Sequence, residues 1–194
     1  MDNLLAALLG YALGSIPFGL ILTSMAGMGD VRKIGSGNIG ATNVLRTGNK
    51  GLAAATLLLD LFKGFLPVFL AWQFSPEAVG FAAAGAVIGH CFPLWLKFKG
   101  GKGVATLAGV CFGLAWPIGA VYAFAWIGML AIWRISSLAG MTAAVAAPAA
   151  AYLTGWPEFV PFLILITVLI LWLHRANIGR LKAGMEPKIG GDKA

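Results

Sequence analysis

Three short segments of this 194-residue chain gather the residue types that bind phosphate. The first reads Gly35-Ser36-Gly37-Asn38-Ile39-Gly40-Ala41-Thr42-Asn43-Val44-Leu45-Arg46, glycines alternating with small hydrogen-bonding side chains and closing on an arginine. Glycine tolerates positive φ and close approach, so such a loop can turn backbone N–H groups toward an anion. Gly35 and Gly40 have Walker A spacing, but Ala41 stands where the phosphate-binding lysine belongs and no strand precedes, which rejects nucleoside triphosphate binding. A flexible connection made of turn residues is the plainer alternative. The second segment, Gly89-His90-Cys91 through Lys102-Gly103-Val104, sets Lys102 in a Gly-Gly-Lys-Gly turn at the head of a helix, pairing a mobile cation with free backbone donors. Lys97 and Lys99 read equally well as topology determinants. In the third, His174, Asn177 and Arg180 recur at helical spacing, and could converge on a polar ligand if the helix continues past the membrane surface. Ordinary capping and snorkelling at a helix C-terminus competes with that reading.

A set rich in Arg, Lys, Ser, Thr, Asn, His and glycine loops, and poor in carboxylates, suits an anionic phosphorylated substrate. There is no His-x4-Asp, no Gly-x-Ser-x-Gly, no metal-ligand cluster and no Cys/His pair at useful spacing, so acyl-enzyme chemistry and metal hydrolysis find little support. Cys91 and Cys111 lie in apolar runs and read as buried structural thiols.

The elements that must position these segments are apolar. The chain is 59% hydrophobic and 11% charged, which excludes a water-soluble domain. Apolar runs at Leu4 to Met25, Leu52 to Phe74, Ala78 to Trp95, Val104 to Trp116, Ile118 to Trp133, Leu138 to Thr154 and Pro157 to Leu173 predict an all-α integral membrane protein of about seven transmembrane helices, the fourth and fifth of them short, in one domain covering 1–194. Breaking Val104 to Trp133 near Trp116-Pro117 leaves the even-numbered connections without Lys or Arg. The other side then holds Arg32, Lys33, Arg46, Lys50, Lys97, Lys99, Lys102, Arg134, Arg175, Arg180, Lys182, Lys188 and Lys193, which places the N-terminus outside and the C-terminus in the cytoplasm. All three polar segments then fall on the cytoplasmic side. Met1-Asp2-Asn3 brings no positive charge ahead of the first run and no cleavage pattern follows it, so that helix is expected to be retained. Lys63, inside the second run and three residues after Asp60, is either half of a structural ion pair or a direct participant at the site. The basic tail from Lys182 to Lys193 can lie on anionic headgroups.

The strings SGNIGATNVLR, GHCFPLWLKFKGGKGVAT and HRANIGRLKAGME closely resemble the cytoplasmic motifs of the bacterial acyl-phosphate-dependent glycerol-3-phosphate acyltransferases, and they occur in the same order in a chain of similar size. The resemblance implies a seven-helix inner-membrane enzyme that moves a fatty acyl group from acyl phosphate to the 1-hydroxyl of glycerol 3-phosphate, giving lysophosphatidic acid and inorganic phosphate at the first committed step of phospholipid synthesis. It implies no metal, nucleotide or other cofactor. Carried over residue by residue, it has Gly37, Asn38, Gly40, Thr42 and Asn43 form a pocket for the donor's phosphate with His90 on the same side. Ser36, Arg46 and Lys102 hold the phosphate of glycerol 3-phosphate, and His174 and Asn177 orient its hydroxyls. Ser36, His174 and Asn177 are the expected catalytic residues. The family also places a hydroxyl shortly after the pair matching Ser137-Leu138; Gly140 stands about there, leaving Ser136 or Ser137 to supply it. The expected partners are the two substrates and membrane lipids, with no nucleic acid, in a chain acting as a monomer.

Acyl phosphate is a mixed anhydride with a good leaving group, so the chemistry asks chiefly for two anions to be held together and for developing charge to be stabilised. The expected mechanism is direct attack without an acyl-enzyme, the donor's phosphate oxygen or His174 taking the proton. A transporter of a phosphorylated metabolite is the rival; it would place its polar residues at the bilayer midplane and show internal repeats, and neither is seen.

Overall fold

The computed structural model describes residues 2–190, and every regular element among them is helical. Met1 and Lys193, which entered the terminus and tail expectations, lie outside the described residues. The chain divides into two compact units, one ending at Leu114 and one starting at Ala115.

The first unit holds α1 (Asn3–Gly14), α2 (Phe18–Met25), α3 (Ala41–Leu45), α4 (Lys50–Phe74), α5 (Val79–Cys91) and α6 (Val104–Leu114). Asp2 caps α1 by accepting from Leu5 N at 2.7 Å, and Asn49 caps α4 from Leu52 N at 3.0 Å. The first apolar run is broken at Pro17, which has no N–H to give and crowds the preceding turn. Side chains far along the sequence satisfy the carbonyls the break frees: Trp95 Nε1 donates to Ser15 O at 2.9 Å and Lys63 Nζ to Ile16 O at 2.6 Å. Lys63 also lies 2.7 Å from Asp60 Oδ1, both side chains 3% exposed, so the structural ion pair is formed.

Close backbone approach holds these helices together. Gly10 and Gly14 of α1 face Gly85 and Gly89 of α5; a Cβ on Gly14 would meet Ala86 O at 2.1 Å, and one on Gly89 would meet Tyr11 O at 2.3 Å. In lipid, where tails are as apolar as leucine, such small-residue seams supply the packing. Large apolar side chains point outward instead, Leu58 being 64% exposed, while Thr56, Asp60 and Lys63 of the same helix are buried.

The second unit holds α7 (Trp116–Trp133), α8 (Ser136–Leu153), α9 (Val160–Leu173) and α10 (Arg175–Lys182). An alanine face of α8 is buried, and Thr167 of α9 donates to Ala144 O at 2.7 Å. The chain bends by 59° between α9 and α10 at His174.

Among the described residues, five spans are long and apolar enough to cross a bilayer, or six if the bent pair is one span. The expected pair of short helices is corrected to one. The break falls at Ala115, ahead of Trp116-Pro117, because Pro117 fits the first turn of a helix, where its missing N–H is not needed. That gives α7 18 residues and leaves only α6 short, its 11 residues rising about 16 Å against a hydrocarbon core of ~30 Å.

Candidate functional site

The glycine-rich loop of the first unit is an ordered structure built on Asn43. That side chain is 1% exposed. Its Nδ2 donates to Val31 O at 2.9 Å, Ile34 O at 3.0 Å and Asn38 O at 2.8 Å, while its Oδ1 accepts from Ser36 N at 3.0 Å and Ser36 Oγ at 3.3 Å. Arg46 Nη1 reaches the same Oδ1 at 3.5 Å. Gly35 must be glycine here: its φ is +53°, and a Cβ would fall 2.6 Å from Asn43 Oδ1. Asn38 Oδ1 accepts from Gly40 N at 2.8 Å, which closes the turn into α3. Val31, Val44 and Ala53 form the buried floor, joined by Leu20, Leu45 and Leu52. From behind, Gly19 of α2 lies so close to Ile39 that a Cβ there would meet Ile39 O at 2.0 Å. Before the loop, Arg32 donates to Asp30, and that hydrogen bond holds the Asp30 carboxyl down at about 2.

The Lys102 turn is fixed by equally close contacts. Gly100 N donates to Cys91 O at 3.1 Å and Gly101 N to His90 O at 3.0 Å. A Cβ on Gly101 would fall 1.9 Å from His90 Nε2, so the glycine pair lets this stretch of chain lie flat on the imidazole. His90 is buried with Nδ1 3.9 Å from Asp60 Oδ1. Lys102 is half-buried and is followed by Gly103 at φ +82°, from which α6 starts. Lys97 and Phe98 both take left-handed backbone, φ +53° and +61°, and sit exposed in the approach to this turn.

In the second unit, His174 stands at the bend and is 3% exposed. Its Nδ1 lies 2.8 Å from Ile170 O; a carbonyl only accepts, so Nδ1 carries a proton. Asn177 is on the next turn, but its amide faces a carboxylate to which residue type and spacing assign no role. Glu186 accepts from Asn177 Nδ2 at 2.5 Å and Ser137 Oγ at 2.6 Å through Oε1, and from Arg180 Nε at 2.6 Å through Oε2. Burial by itself would raise the Glu186 carboxyl; the hydrogen bonds from Ser137, Asn177 and Arg180 outweigh it and hold the group below its ordinary value. The chain folds back to make this contact, with Gly184 at φ +69° and Ile189 N donating to Arg134 O at 2.7 Å.

The structure thus gathers Ser36, Asn38 and Gly40 of the loop around Asn43 of α3 and Arg46 at its end, with Gly37 exposed on the loop and Thr42 exposed on α3. In the same unit it packs Gly101, the neighbour of Lys102, against His90 of α5, and in the other it places His174 and Asn177 at and just after the bend. Of the two serines left open, Ser137 is the one bound to Glu186. No spacing rule pointed to Glu186, nine residues from Asn177 and forty-nine from Ser137. Its one signal was a lone carboxylate in a basic stretch.

Comparison with known proteins returns one family throughout. The sequence profile described as glycerol-3-phosphate acyltransferase matches residues 4–184. A glycerol-3-phosphate acyltransferase of Erythrobacter litoralis (strain HTCC2594) is 70% identical over 98% of this chain and 96% of its own length. One from Novosphingobium aromaticivorans is 62% identical over 100% of this chain and 98% of its own. The crystal structure of PlsY, an integral membrane glycerol 3-phosphate acyltransferase, in its glycerol 3-phosphate form, is similar with a TM-score of 0.91 and 37% identity, covering 97% of this chain and 96% of that one. Its lysophosphatidic acid form gives 0.88 and 36%, covering 96% and 94%.

Proposed function

The chain belongs to the glycerol-3-phosphate acyltransferase family, and from that premise we propose that it acylates the 1-hydroxyl of glycerol 3-phosphate, releasing lysophosphatidic acid at the first committed step of phospholipid synthesis. The observation that carries the reading is the loop on Asn43, which brings the Ser36 hydroxyl and the Arg46 guanidinium to one oxygen, 3.3 and 3.5 Å away. A hydroxyl and a planar cation held side by side above glycine backbone suit a phosphate dianion.

Acyl phosphate is the proposed donor. Gly37, Asn38, Gly40 and Thr42 face its phosphate, Asn43 shapes that pocket from beneath, and His90 supports it from behind Gly101. Ser36, Arg46 and Lys102 hold the phosphate of glycerol 3-phosphate; His174 and Asn177 serve its hydroxyls. The hydroxyl oxygen attacks the donor carbonyl and the bond from that carbon to the phosphate oxygen breaks. The proton passes to the departing phosphate or to His174 Nε2. Nothing in the chemistry needs an acyl-enzyme, because phosphate already leaves well.

The proposal includes one acyltransferase domain over 1–194, acting as a monomer in the bacterial inner membrane. It counts seven spans by adding α6 to the bent pair and the five long ones, with the N-terminus outside and the site facing the cytoplasm. Support for that orientation is the lysine and arginine asymmetry, since the turns at 75–77 and 155–156 carry none.

Purified protein given palmitoyl phosphate should release inorganic phosphate only when glycerol 3-phosphate is also present, and Arg46→Ala should lose most of that release. Radiolabelled acyl group trapped on the protein would refute direct transfer. Folded wild-type protein that releases no phosphate would refute the donor.

A further inference from the structure

Two of the most deeply buried charges in the chain, Asp60 and Lys63, take no part in the chemistry above. Lys63 Nζ is held by Ile16 O at 2.6 Å and Asp60 Oδ1 at 2.7 Å, lies 5.7 Å from the centre of the Phe18 ring, and is 3% exposed. Its place is at the α1–α2 break. A charged side chain is costly inside a membrane protein and persists where it serves a partner. Here the partner is a carbonyl that Pro17 leaves outside any helical ladder.

From that carbonyl the chain leads directly to the glycine-rich loop. Three residues after Ile16 comes Gly19, whose backbone abuts Ile39 O inside that loop, and Thr23 Oγ1 locks Gly19 O at 2.8 Å one turn on. Ile39 is 2% exposed and separates Asn38 from Gly40, the two residues that close the turn into α3. A continuous series of tight contacts thus runs from Lys63 through the break and the first turn of α2 to the loop that carries Ser36 and Arg46. The contacts at Gly19 leave no space to absorb a shift, so moving the break moves the loop.

We infer that Lys63, with Asp60 as its counter-ion, is a positioning residue for glycerol 3-phosphate binding: it sets the α1–α2 break that seats the glycine-rich loop. The inference rests on the reading of Ser36 and Arg46 given above. It predicts a particular kinetic signature. A displaced loop weakens its phosphate contacts to both substrates alike in ground and transition states, so with the donor kept saturating the change is read as a raised KM for glycerol 3-phosphate with kcat little altered.

Removing Lys63 alone would strand the Asp60 charge, so the variant of choice is Asp60→Asn with Lys63→Met, which neutralises the pair at similar volume. At saturating palmitoyl phosphate its KM for glycerol 3-phosphate should rise about tenfold or more with kcat within about threefold of wild type. Amide exchange over 34–46 should speed up while α5 and α6 stay protected. Lys63→Arg, which can still donate to Ile16 O, should restore most of the affinity. An unchanged KM in folded double variant overturns the proposal, as does a fall in kcat that tracks lost thermal stability. Should the double variant not fold, Gly19→Ala decides, since it strikes the same contact without touching the charges: a KM rise is expected, and an unchanged KM overturns. Collapse of both variants would assign the pair to the fold as a whole and overturn it as well. Arg46→Ala, run alongside, separates the two claims: if it leaves KM for glycerol 3-phosphate unaltered, the site reading fails first.

Discussion

Asn43 in the first unit and Glu186 in the second each draw several pieces of chain onto one side chain, but they do so with different chemistry and over different reach. Asn43 uses a neutral amide, donating on one edge and accepting on the other, and all of its partners lie between Val31 and Arg46. Glu186 uses a carboxylate that only accepts, and its partners come from α8 and α10. The amide suits a loop meant for phosphate, since a carboxylate beneath it would repel the ligand at a few ångströms. Away from such a loop a carboxylate gathers cations and hydroxyls more strongly, because each hydrogen bond is charge-assisted.

Asn43→Asp breaks this comparison most severely. It keeps the shape but turns an oxygen toward three carbonyls that now receive a proton, and it buries a charge under the phosphate loop. Val31 O and Ile34 O keep backbone donors, so the costs are an unmet Asn38 O, ~1–3 kcal/mol, and the buried charge, and the rate of lysophosphatidic acid formation should fall about 100-fold or more. Glu186→Gln is the milder counterpart. Oε1 survives as an acceptor for Ser137 and Asn177 and only the half-exposed Arg180 contact weakens, so a loss of about tenfold or less is expected. Initial rates on both variants test the ranking, and a larger loss in Glu186→Gln would reverse the assignment of the two centres.

Residue type and spacing announced the apolar runs, each of which is helical, and the three polar segments. They did not announce the two gathering side chains, for a physical reason. Asn43 is one of several amides in a loop whose composition says that N–H groups can face an anion, but not which side chain lies beneath; that depends on irregular backbone with no period to read. Glu186 meets Ser137 across forty-nine residues, a pairing no local rule reaches. Pro17 was a visible breaker inside an apolar run, yet hydropathy continues across it unchanged. The bend at His174 was hidden likewise, because His174 and Asn177 keep helical spacing in sequence although the axis turns by 59° between α9 and α10.

Glycines with positive φ at the two centres sharpen the contrast. Gly35 and Gly184 have φ of +53° and +69°, so alanine at either pays the left-handed penalty of roughly 1–2 kcal/mol. Only at Gly35 would the new Cβ also strike Asn43 Oδ1, at 2.6 Å; around Gly184 nothing lies within 4 Å. Gly35→Ala should therefore lose more than about 30-fold in activity and raise KM for glycerol 3-phosphate, while Gly184→Ala should lose about fivefold to tenfold, from the penalty alone. Equal losses would mean that backbone strain, and not the Asn43 contact, governs both positions.

Acid is the gentlest probe and separates the centres by protonation alone. The Glu186 carboxyl sits below its ordinary value of 4.5 in the folded chain, so it stabilises the fold-back fully above that value and loses its contribution as pH falls through the lowered one. Asn43 has no proton to gain. The nearest titrating support of its loop is Asp30, whose contribution is complete above 3.8 and is lost only on the way down to about 2. Between pH 6 and pH 4, amide exchange corrected for intrinsic rates should accelerate modestly across residues 184–190 while 31–46 hold their protection. If the glycine-rich loop loosens first, its integrity depends on a carboxylate, and the division of labour between amide and carboxylate is wrong.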